Sequence, residues 1–291
     1  MKGLRVAVIG ATGNVGRALT AALLAQGAEV TAIARTVSWL QGLGEGGRPV
    51  AVDVEGGADQ LRAVLAGADC VINAAHARFT PAILAALPDR RAYLVTLGST
   101  RKFTRFPDEK AAQVQAAEAA HYEYGNGIIL HPTMIYGGAD NNISRVLKFT
   151  RWAPVIALPN RGKALLQPIH RDDVVRCVFA AIEKSVTGAP IIIAGAEPLD
   201  YAQLIRVCAH AAGRSVRVVS APLWGIQALA WLTNFVPGVP AIGGDEVRRL
   251  LEDKAFDIAP MQARLGVTPC TLEEGLARMA AAGEIPGRHA V

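Results

Sequence analysis

The stretch that decides the fold is Arg5-Val-Ala-Val-Ile-Gly-Ala-Thr-Gly-Asn-Val-Gly16, in which a short apolar run leads into a glycine loop. A helical pattern, Val15–Gln26, follows at once, so the glycines lie between a strand and a helix. Gly10 permits a tight turn, Gly13 lets the backbone approach a pyrophosphate, and Gly16 allows close packing of the helix on the strand. The N–H groups at such a helix start attract phosphate. The stretch therefore predicts a dinucleotide site, with a glycine-rich turn that binds no ligand as the alternative. The residues predicted to contact the phosphates are Gly10, Thr12, Gly13, Asn14, Val15 and Gly16.

Strand-like and helical patterns alternate through the first two thirds of the 291 residues. Val- and Ile-rich strands separated by helices indicate βαβ units and a parallel sheet that is covered on both faces. The predicted fold class is therefore α/β, with a doubly wound parallel sheet. The predicted strands are Arg5–Ile9, Glu29–Ala34, Pro49–Val52, Cys70–Asn73, Ala92–Leu97, Ile128–Leu130 and Ile191–Ala194, and the helices between them are Val15–Gln26, Ala58–Ala66, Pro81–Leu87, Asp108–His121 and Val174–Lys184.

The pattern changes after Gly195, which predicts two regions. Residues 1–197 form the nucleotide-binding domain, with an insertion at about 138–165, and residues 198–291 form a smaller α-rich substrate or lid region. The smaller region is predicted to contain the helices Tyr201–Ala212, Glu246–Asp253 and Leu272–Ala282 and the strand Val216–Val219.

Composition favours a globular protein, because hydrophobic residues make up 51% and charged residues 19% of the chain. The net charge is +5, but Lys and Arg are scattered along the sequence, which argues against a nucleic-acid binder. The spacing of the four cysteines suits neither a metal site nor a CxxC redox pair, so we expect buried thiols in a reducing compartment, the cytoplasm. The chain opens on a strand pattern rather than on a signal peptide.

The apolar stretch Ala221–Val236 is the one membrane candidate in the sequence. It is shorter than the roughly 20 residues of a spanning helix, so we expect no membrane span. Trp224 and Trp231 would share one face of a helix here. Core packing is the plainer interpretation, and a lid or a partner-facing helix is the alternative.

The end of the second predicted strand bears on the choice of cofactor. Dinucleotide sites that select NAD place Asp or Glu at this point, on the ribose 2′-hydroxyl, whereas this chain has Arg35 followed by Thr36. A guanidinium can pair with a 2′-phosphate in bidentate geometry. The sequence thus favours NADP(H) over NAD, with a surface arginine as the alternative.

Further landmarks follow in order along nearly the whole chain: Asp53-Val54, Asn73-Ala74-Ala75, Leu97-Gly98-Ser99-Thr100, His131-Pro132-Thr133-Met134-Ile135-Tyr136-Gly137, Gln167-Pro168-Ile169-His170-Arg171-Asp172-Asp173-Val174 and Leu265-Gly266-Val267-Thr268-Pro269. Together with the glycine loop, they resemble the extended and atypical short-chain dehydrogenase/reductases of the NAD-dependent epimerase/dehydratase type, which have a Rossmann fold. The resemblance is specific at the level of the superfamily.

The resemblance implies a role for several of these residues. Asp53 and Val54 would meet the adenine ring, Asn73-Ala74-Ala75 would lie under the cofactor, and Pro132 would also contact it. Ser99 and Thr100 stand where the family carries its catalytic Ser/Thr. We expect Tyr136 to line the substrate site and His170 to be structural.

The chain departs from the family at the catalytic helix. Family enzymes use a Tyr-x-x-x-Lys, whose tyrosine moves the proton that accompanies hydride transfer. This pattern occurs nowhere in the sequence. One register places Phe106 and Lys110 in the two positions, and the other, matched through Glu118, places Glu109 and Gln113 there. Neither register supplies a phenol, so the family mechanism does not carry over.

Other polar residues are candidates for catalysis. Ser99, Thr100 and Lys110 remain, and His76 follows Asn73-Ala-Ala directly and titrates near neutral pH, although a lone histidine after a strand is often a bystander. The sequence predicts an NADP(H)-dependent oxidoreductase or epimerase-like enzyme acting on a small molecule. The alternative is a non-catalytic dinucleotide-binding protein, either a redox sensor similar to the NmrA type or an accessory subunit similar to that of respiratory complex I.

Overall fold

The computed structural model describes residues 1–40, 42–106, 108–222, 224–225 and 251–285. The chain divides into two compact units. The first unit comprises residues 1–133, 171–193 and 257–268, and the second comprises 134–170, 194–256 and 269–291. Both units are interleaved in sequence, whereas the predicted division into 1–197 and 198–291 is sequential. The role of residues 198–291 in binding substrate or forming a lid stays a prediction.

The first unit is built on a sheet of seven parallel strands. In chain order these are β1 (Arg5–Ile9), β2 (Glu29–Ala34), β3 (Gly47–Ala51), β4 (Cys70–Asn73), β5 (Tyr93–Leu97), β6 (Gly127–Pro132) and β11 (Ile191–Ile193). Their order across the sheet is β11-β6-β5-β4-β1-β2-β3. The predicted doubly wound parallel sheet is therefore confirmed, and each of the seven predicted strands is present to within two residues.

Helices cover this sheet because its strands are apolar on both faces. On β1, Ala7 and Ile9 belong to a buried cluster that includes Leu61 and Ile83 of the covering helices. Their neighbours Val6 and Val8 are also buried, which period-two geometry assigns to the opposite face. The helices are α1 (Asn14–Ala25), α2 (Ala58–Leu65), α3 (Thr80–Ala86), α4 (Glu109–Tyr124), α6 (Arg171–Glu183) and α8 (Ala259–Leu265).

Strand order positions the site. The chain runs from β1 to β2 and β3 on one side and then returns to β4 on the other side of β1. At such a reversal the two connections leave in opposite directions, so a crevice opens outside the carboxyl ends of the strands. The glycine loop that follows β1 lies at this point.

The second unit has a separate apolar core, in which Tyr136, Leu147, Ile156, Leu204 and Leu276 are buried together. Its elements are β7 (Ile135–Tyr136), α5 (Ile143–Thr150), β8 (Val155–Leu158), β9 (Leu165–Leu166), β10 (Ile169–His170), β12 (Leu199–Asp200), α7 (Tyr201–Ala211), β13 (Arg217–Ser220) and α9 (Leu272–Ala281). The strands pair as β7 with β10 and β8 with β13, both parallel, and as β9 with β12, antiparallel.

Several predictions fall in this unit. The predicted helices at 201–212 and 272–282 and the strand at 216–219 are confirmed to within one residue. The prediction for Tyr136 is wrong. Its ring is fully buried, lies 5.2 Å from the His170 ring, and directs its hydroxyl at the Thr271 carbonyl, 3.4 Å away.

Two predictions concern residues outside the described part. The Trp224/Trp231 helix lies outside it except for residues 224–225, and of the predicted helix at 246–253 only 251–253 are described, as a turn. Where the structure describes the chain, it contains no helix with the length and apolar character needed to cross a membrane.

Candidate functional site: the crevice beyond β1

The glycine loop is held against the end of the neighbouring strand. The N–H groups of Gly10 and Ala11 both donate to the Ile33 carbonyl, at 2.9 and 3.1 Å. Gly10 has a positive φ of 82°, a conformation that favours glycine. A Cβ at Gly10 would lie 2.8 Å from the backbone nitrogen of Ala75, so the turn after β1 is in direct contact with the backbone that follows β4.

Gly16 brings the first helix onto this turn. A Cβ at this position would lie 2.1 Å from the Gly10 carbonyl oxygen, a distance that no side chain tolerates. Gly13, the N-cap of α1, differs: its φ is −71° and no side chain caps the helix. The start of α1 is thus left open to an anion, as a pyrophosphate site requires.

Asn73 fixes the second wall of the crevice. It is fully buried at the end of β4. Its Oδ1 accepts a hydrogen bond from the Ala75 N–H at 3.1 Å, and its Nδ2 donates to Thr80 Oγ1 at 3.4 Å. The side chain therefore positions the Ala74–Ala75 backbone that the glycine loop contacts.

A cavity of about 560 Å³ opens beside the loop, within the usual range of about 300–1,000 Å³ for small-molecule sites. A larger cavity, of about 750 Å³, lies at the opposite edge of the sheet, where it is lined by Arg5, Glu29 and other residues at strand starts. Ligands of open parallel sheets bind at the carboxyl ends of the strands. We therefore take the smaller cavity as the candidate ligand site. It is lined by Ile9, Gly10, Thr12, Gly13, Ile33, Ala34, Arg35, Val52, Asp53, Val54, Ala74, Ala75, His76, Arg78, Phe79, Glu109, Lys110 and Gln113.

The structure brings most of the predicted cofactor residues to this one cavity. The exceptions are Asn14, Val15 and Gly16 in the first turn of α1, the buried Asn73, and Pro132, which are absent from the lining. Sequence reasoning missed Arg78, Phe79, Glu109 and Gln113. The last two stand in one of the registers considered for the catalytic pair, which was the signal that could have identified them.

The donor set fits a dinucleotide. Glycine and alanine backbone surrounds the open helix start, and Asp53 lies at the end of β3, where it accepts a hydrogen bond from the Glu55 N–H at 3.3 Å. Arg35 follows β2 directly, and its exposed side chain forms no hydrogen bond or ion pair with any residue that the structure describes. A cation at the rim is thus available to an anionic ligand.

His76 enters the cavity from the end of β4. Its Nδ1 accepts a hydrogen bond from the Arg78 N–H at 3.2 Å, so in the neutral ring the proton is on Nε2. Partial burial lowers the pKa of His76, and the positive charges of Arg78, Lys110 and Arg101 lower it further. Both effects keep the ring neutral at neutral pH.

Helix α4 decides between the two registers for the missing tyrosine. The helix starts at Glu109, and its N-cap Asp108 accepts from the Ala111 N–H at 2.9 Å. Phe106 therefore precedes the helix and cannot form an i, i+4 pair on it with Lys110. Glu109 and Gln113 do form such a pair, with 3.0 Å between Gln113 Nε2 and Glu109 Oε1, and both line the cavity beside Lys110.

Ser99 and Thr100 are the candidate residues that the lining of this cavity does not include. The Ser99 N–H donates to His131 Nδ1 at 3.1 Å, and its hydroxyl oxygen accepts from the Arg101 N–H at 3.1 Å. The Thr100 hydroxyl donates to the Pro132 carbonyl at 3.4 Å. Both hydroxyls thus help to fix the connection from β5 to α4.

A partly buried ion pair lies next to the buried His131. Glu118 on α4 forms an ion pair with Lys102, and its Oε2 lies 3.3 Å from His131 Nε2. Burial is the main cause that lowers the pKa of His131 to about 4, with Lys102 adding to the effect and Glu118 opposing it. His131 is therefore a neutral ring, and Lys102 supplies the positive charge opposite Glu118.

Comparisons with known proteins agree with this geometry. The family model described as NAD(P)H-binding matches residues 10–124. These residues include the glycine loop, the Ala74–Ala75 backbone that Asn73 positions, and the start of α4, all of which line the cavity. Residues 10–124 are therefore similar to an NAD(P)H-binding domain. No curated protein matches the sequence.

Solved structures extend the likeness to nearly the whole chain. A candidate epimerase from Burkholderia cenocepacia J2315 has a TM-score of 0.77 at 18% identity, over 97% of this chain and 99% of that chain. UDP-glucuronic acid 4-epimerase from Bacillus cereus, in complex with UDP-glucuronic acid and NAD, has a TM-score of 0.74 at 17% identity, over 98% and 100%. dTDP-glucose 4,6-dehydratase from Bacillus anthracis, in complex with NAD, has a TM-score of 0.75 at 12% identity, over 98% and 97%.

At these identities the likeness establishes the fold. The predicted resemblance to a short-chain dehydrogenase/reductase of the epimerase/dehydratase type is confirmed at the level of the fold. The family match supports the prediction that the cofactor is a nicotinamide dinucleotide.

We expect opposite outcomes from valine substitutions at two glycines of the loop. Gly13→Val should leave the first unit folded, because its extended backbone conformation suits any residue and the 3.2 Å contact of its Cβ with the Gly10 oxygen needs a shift of only a few tenths of an ångström. The added methyl groups should fill the space above the loop and abolish dinucleotide binding. Gly16→Val should instead prevent folding, because of the 2.1 Å contact. Circular dichroism and calorimetric titration of each purified variant measure the two effects, and a Gly13→Val protein that still binds would place the phosphate site elsewhere.

The buried histidines predict a loss of stability in mild acid. The pKa of His131 and that of His121 are both about 4, compared with an ordinary value of 6.5, and burial is the first cause for each. The unfolded chain therefore takes up protons first as the pH falls below 6.5. Stability is fully present above that pH and decreases toward pH 4, by up to about 1.4 kcal/mol per pH unit for each histidine.

Urea unfolding at a series of pH values between these limits tests this prediction. His131→Asn keeps an acceptor for the Ser99 N–H and removes the titrating ring, so it should reduce the slope by about half. An unchanged slope would show that His131 does not contribute.

Proposed function

We propose that the chain is an NADP(H)-dependent oxidoreductase or epimerase-like enzyme that acts on a hydroxyl or carbonyl carbon of a small molecule, without a tyrosine as its proton donor. The observation that carries the proposal is that His76 and Lys110 share the wall of the dinucleotide cavity. Two titratable side chains at one cavity wall are what acid–base chemistry on a bound substrate requires.

Arg35 supports NADP(H) over NAD(H). It follows β2, where a carboxylate would meet the ribose 2′-hydroxyl, and it is exposed and unpaired among the described residues. Arg78 also lines the cavity, but it is paired with Glu55 at 3.4 Å and lies over the Phe79 ring, 4.7 Å from its centre. Of these two cations, Arg35 is the one free to bind a phosphate.

The remaining contacts follow from the cavity wall. Thr12, Gly13 and the open start of α1 would hold the pyrophosphate, while Asp53 and Val54 would meet the adenine. Asn14, Val15, Asn73 and Pro132 would contribute by shaping the wall rather than by lining it. When bound, NADP(H) supplies or accepts the hydride.

His76 suits hydrogen bonding to the substrate oxygen. Because its Nδ1 is occupied by the Arg78 N–H, the ring presents Nε2–H, and its lowered pKa keeps it in that neutral form. A neutral imidazole can donate a hydrogen bond to a carbonyl oxygen and stabilise the negative charge that develops on it. It cannot supply the proton itself without forming an imidazolate.

Lys110 is the candidate proton donor. Its charge is close enough to lower the pKa of His76, so the two side chains lie within electrostatic range of one another. In the reducing direction the ammonium would protonate the alkoxide that His76 stabilises, and the exposed lysine would then regain its proton from water. Ser99 and Thr100 would act by fixing the segment that leads to Lys110.

The structural neighbours guide the proposed class of substrate in general terms. Those with a bound sugar nucleotide, such as the Bacillus cereus epimerase, act on a hydroxyl-bearing carbon. We propose a small hydroxyl or carbonyl compound here, with residues 198–291 contributing to its recognition.

Cofactor preference is tested by titration calorimetry with NADPH and NADH. Arg35→Ala should weaken NADPH binding about ten- to a hundredfold, since one charge-assisted pair is worth about 1.5–3 kcal/mol, and it should leave NADH binding nearly unchanged. Arg48→Ala removes the same charge from an exposed position on β3, at the opposite edge of the sheet, and serves as the control. Equal affinity of the wild type for both cofactors would contradict the assignment of Arg35.

Catalysis is tested with NADPH and a panel of aldehydes, ketones and sugar nucleotides. Lys110→Met should lower kcat by about 10²–10⁴, the usual contribution of a general acid, with little change in NADPH affinity. His76→Ala should lower kcat as well, whereas Lys2→Met, far from the cavity, should not.

The panel also separates the enzyme from a non-catalytic sensor or accessory subunit, the alternative that the missing Tyr-x-x-x-Lys raises. Such a protein would bind NADPH and gain about 2.7 kcal/mol of stability at a hundred times the dissociation constant, yet leave it unoxidised with every substrate. Turnover that is insensitive to both Lys110→Met and His76→Ala would place the active site elsewhere.

A further inference from the structure

Charge is distributed unevenly in the second unit. The segments 143–166 and 201–225 hold α5, β8, α7 and β13. They contain eight of the chain's 30 Lys and Arg residues and none of its 25 Asp and Glu residues. Although Lys and Arg are scattered along the sequence as a whole, these two segments carry positive charges and no negative ones.

The paired strands β8 and β13 present an outer face in this region. Ile156 and Val218 pair in register and pack on the core of the unit. The neighbouring pairs, Val155 with Arg217 and Ala157 with Val219, alternate to the other side. Val155 and Val219 are 51% and 41% exposed, so nothing among the described residues covers this side of the sheet.

Two large aromatic side chains adjoin the same strands. Phe149, in the last turn of α5, has 58% of its surface exposed, and Trp152, in the turn before β8, is 86% exposed. The N–H groups of Trp152 and Ala153 both donate to the Phe149 carbonyl, at 3.1 Å, which fixes the turn. The Arg217 N–H donates to the Pro154 carbonyl at 2.9 Å, so the turn lies next to β13.

The basic side chains of this region are free to bind an anion. Arg151, beside Trp152, and Arg217, on the outer side of β13, form no ion pair or side-chain hydrogen bond with any described residue. The same holds for Lys148 and Arg214. We call the surface formed by Phe149, Arg151, Trp152, Val155, Arg217 and Val219 the basic aromatic face.

We propose that the basic aromatic face docks this protein on the surface of an anionic lipid membrane. Indole and phenyl rings partition into the interfacial layer of a bilayer, and unpaired Arg and Lys side chains bind the headgroups of acidic lipids. The valines favour lipid over nucleic acid, since aliphatic side chains do not stack on bases. A second copy of the chain fits poorly, because two such faces would bring only positive charges together.

Co-sedimentation with vesicles tests the proposal on the full-length chain. We expect binding to phosphatidylcholine vesicles that contain phosphatidylglycerol, loss of that binding at high salt, and none to phosphatidylcholine alone. Arg151→Gln and Arg217→Gln should each weaken binding about fivefold, as expected for one cation near an anionic surface. Trp152→Ala should weaken it about tenfold or more. The matched controls are Arg48→Gln and Tyr122→Ala, an exposed cation and an exposed aromatic ring of the first unit, and neither should change binding.

A second measurement does not depend on weakened binding. Brominated lipids quench tryptophan at the interface, so vesicles that contain them should quench the wild-type protein more than Trp152→Phe, which keeps an aromatic ring. Titration with NADPH verifies that each variant is folded.

Four results would overturn the proposal. The first is no binding to the anionic vesicles, and the second is binding that none of the three face substitutions weakens. The third is equally tight binding of a single-stranded oligonucleotide with the same dependence on Arg151 and Trp152, which would assign the face to nucleic acid. The fourth is a dimer that Trp152→Ala dissociates, which would assign it to a second copy. Dinucleotide binding is expected to persist in every variant, so failure here is distinguishable from failure of the proposed enzyme.

Discussion

The architecture of the first unit is organised around the contact between the glycine loop and the backbone after β4. Gly10 lies so close to Ala75 that a methyl group would not fit between them, and Gly16 lies closer still to the Gly10 carbonyl. The first contact fixes the distance between the end of β1 and the Ala74–Ala75 backbone that Asn73 positions. The second contact fixes the start of α1. A crevice with an open helix start at its floor results from the two together. A substitution that adds volume at either position therefore affects the fold before it affects the chemistry.

The region where the family keeps its tyrosine and lysine is rebuilt around α4 in this chain. Asp108 caps the helix and pairs with Arg101, while Glu118 holds Lys102 and approaches His131. Gly98 takes part as well, since a Cβ there would lie 2.3 Å from His131 Nδ1. These contacts orient the first turn of α4 so that Glu109, Lys110 and Gln113 meet the cavity. The polar groups of α4 beside the cavity therefore differ from the Tyr-x-x-x-Lys pattern that the resemblance implies, although the fold is similar.

Positive charge serves different purposes in the two units. In the first unit Arg78 pairs with Glu55 and Arg101 with Asp108, whereas Arg35 has no partner among the described residues. In the second unit the segments 143–166 and 201–225 contain no acidic residue, and Arg151 and Arg217 form no ion pair with any described residue. Unpaired positive charges next to exposed aromatic rings are characteristic of protein surfaces that bind the interface of an anionic membrane.

The sequence by itself determined the parallel sheet, the glycine loop and most of the cofactor cavity. These features depend on local patterns: short continuous apolar runs that alternate with helical patterns, and glycines where the backbone approaches another chain segment. Tertiary contacts were needed to show that Tyr136 is buried, that Phe106 lies outside α4, and that the hydroxyls of Ser99 and Thr100 bond the Arg101 N–H and the Pro132 carbonyl. The tertiary structure also brought Arg151 and Arg217, 66 residues apart in sequence, onto one surface. Such outcomes depend on which side chains meet across distant segments, and a pattern within one segment carries no information about its partner.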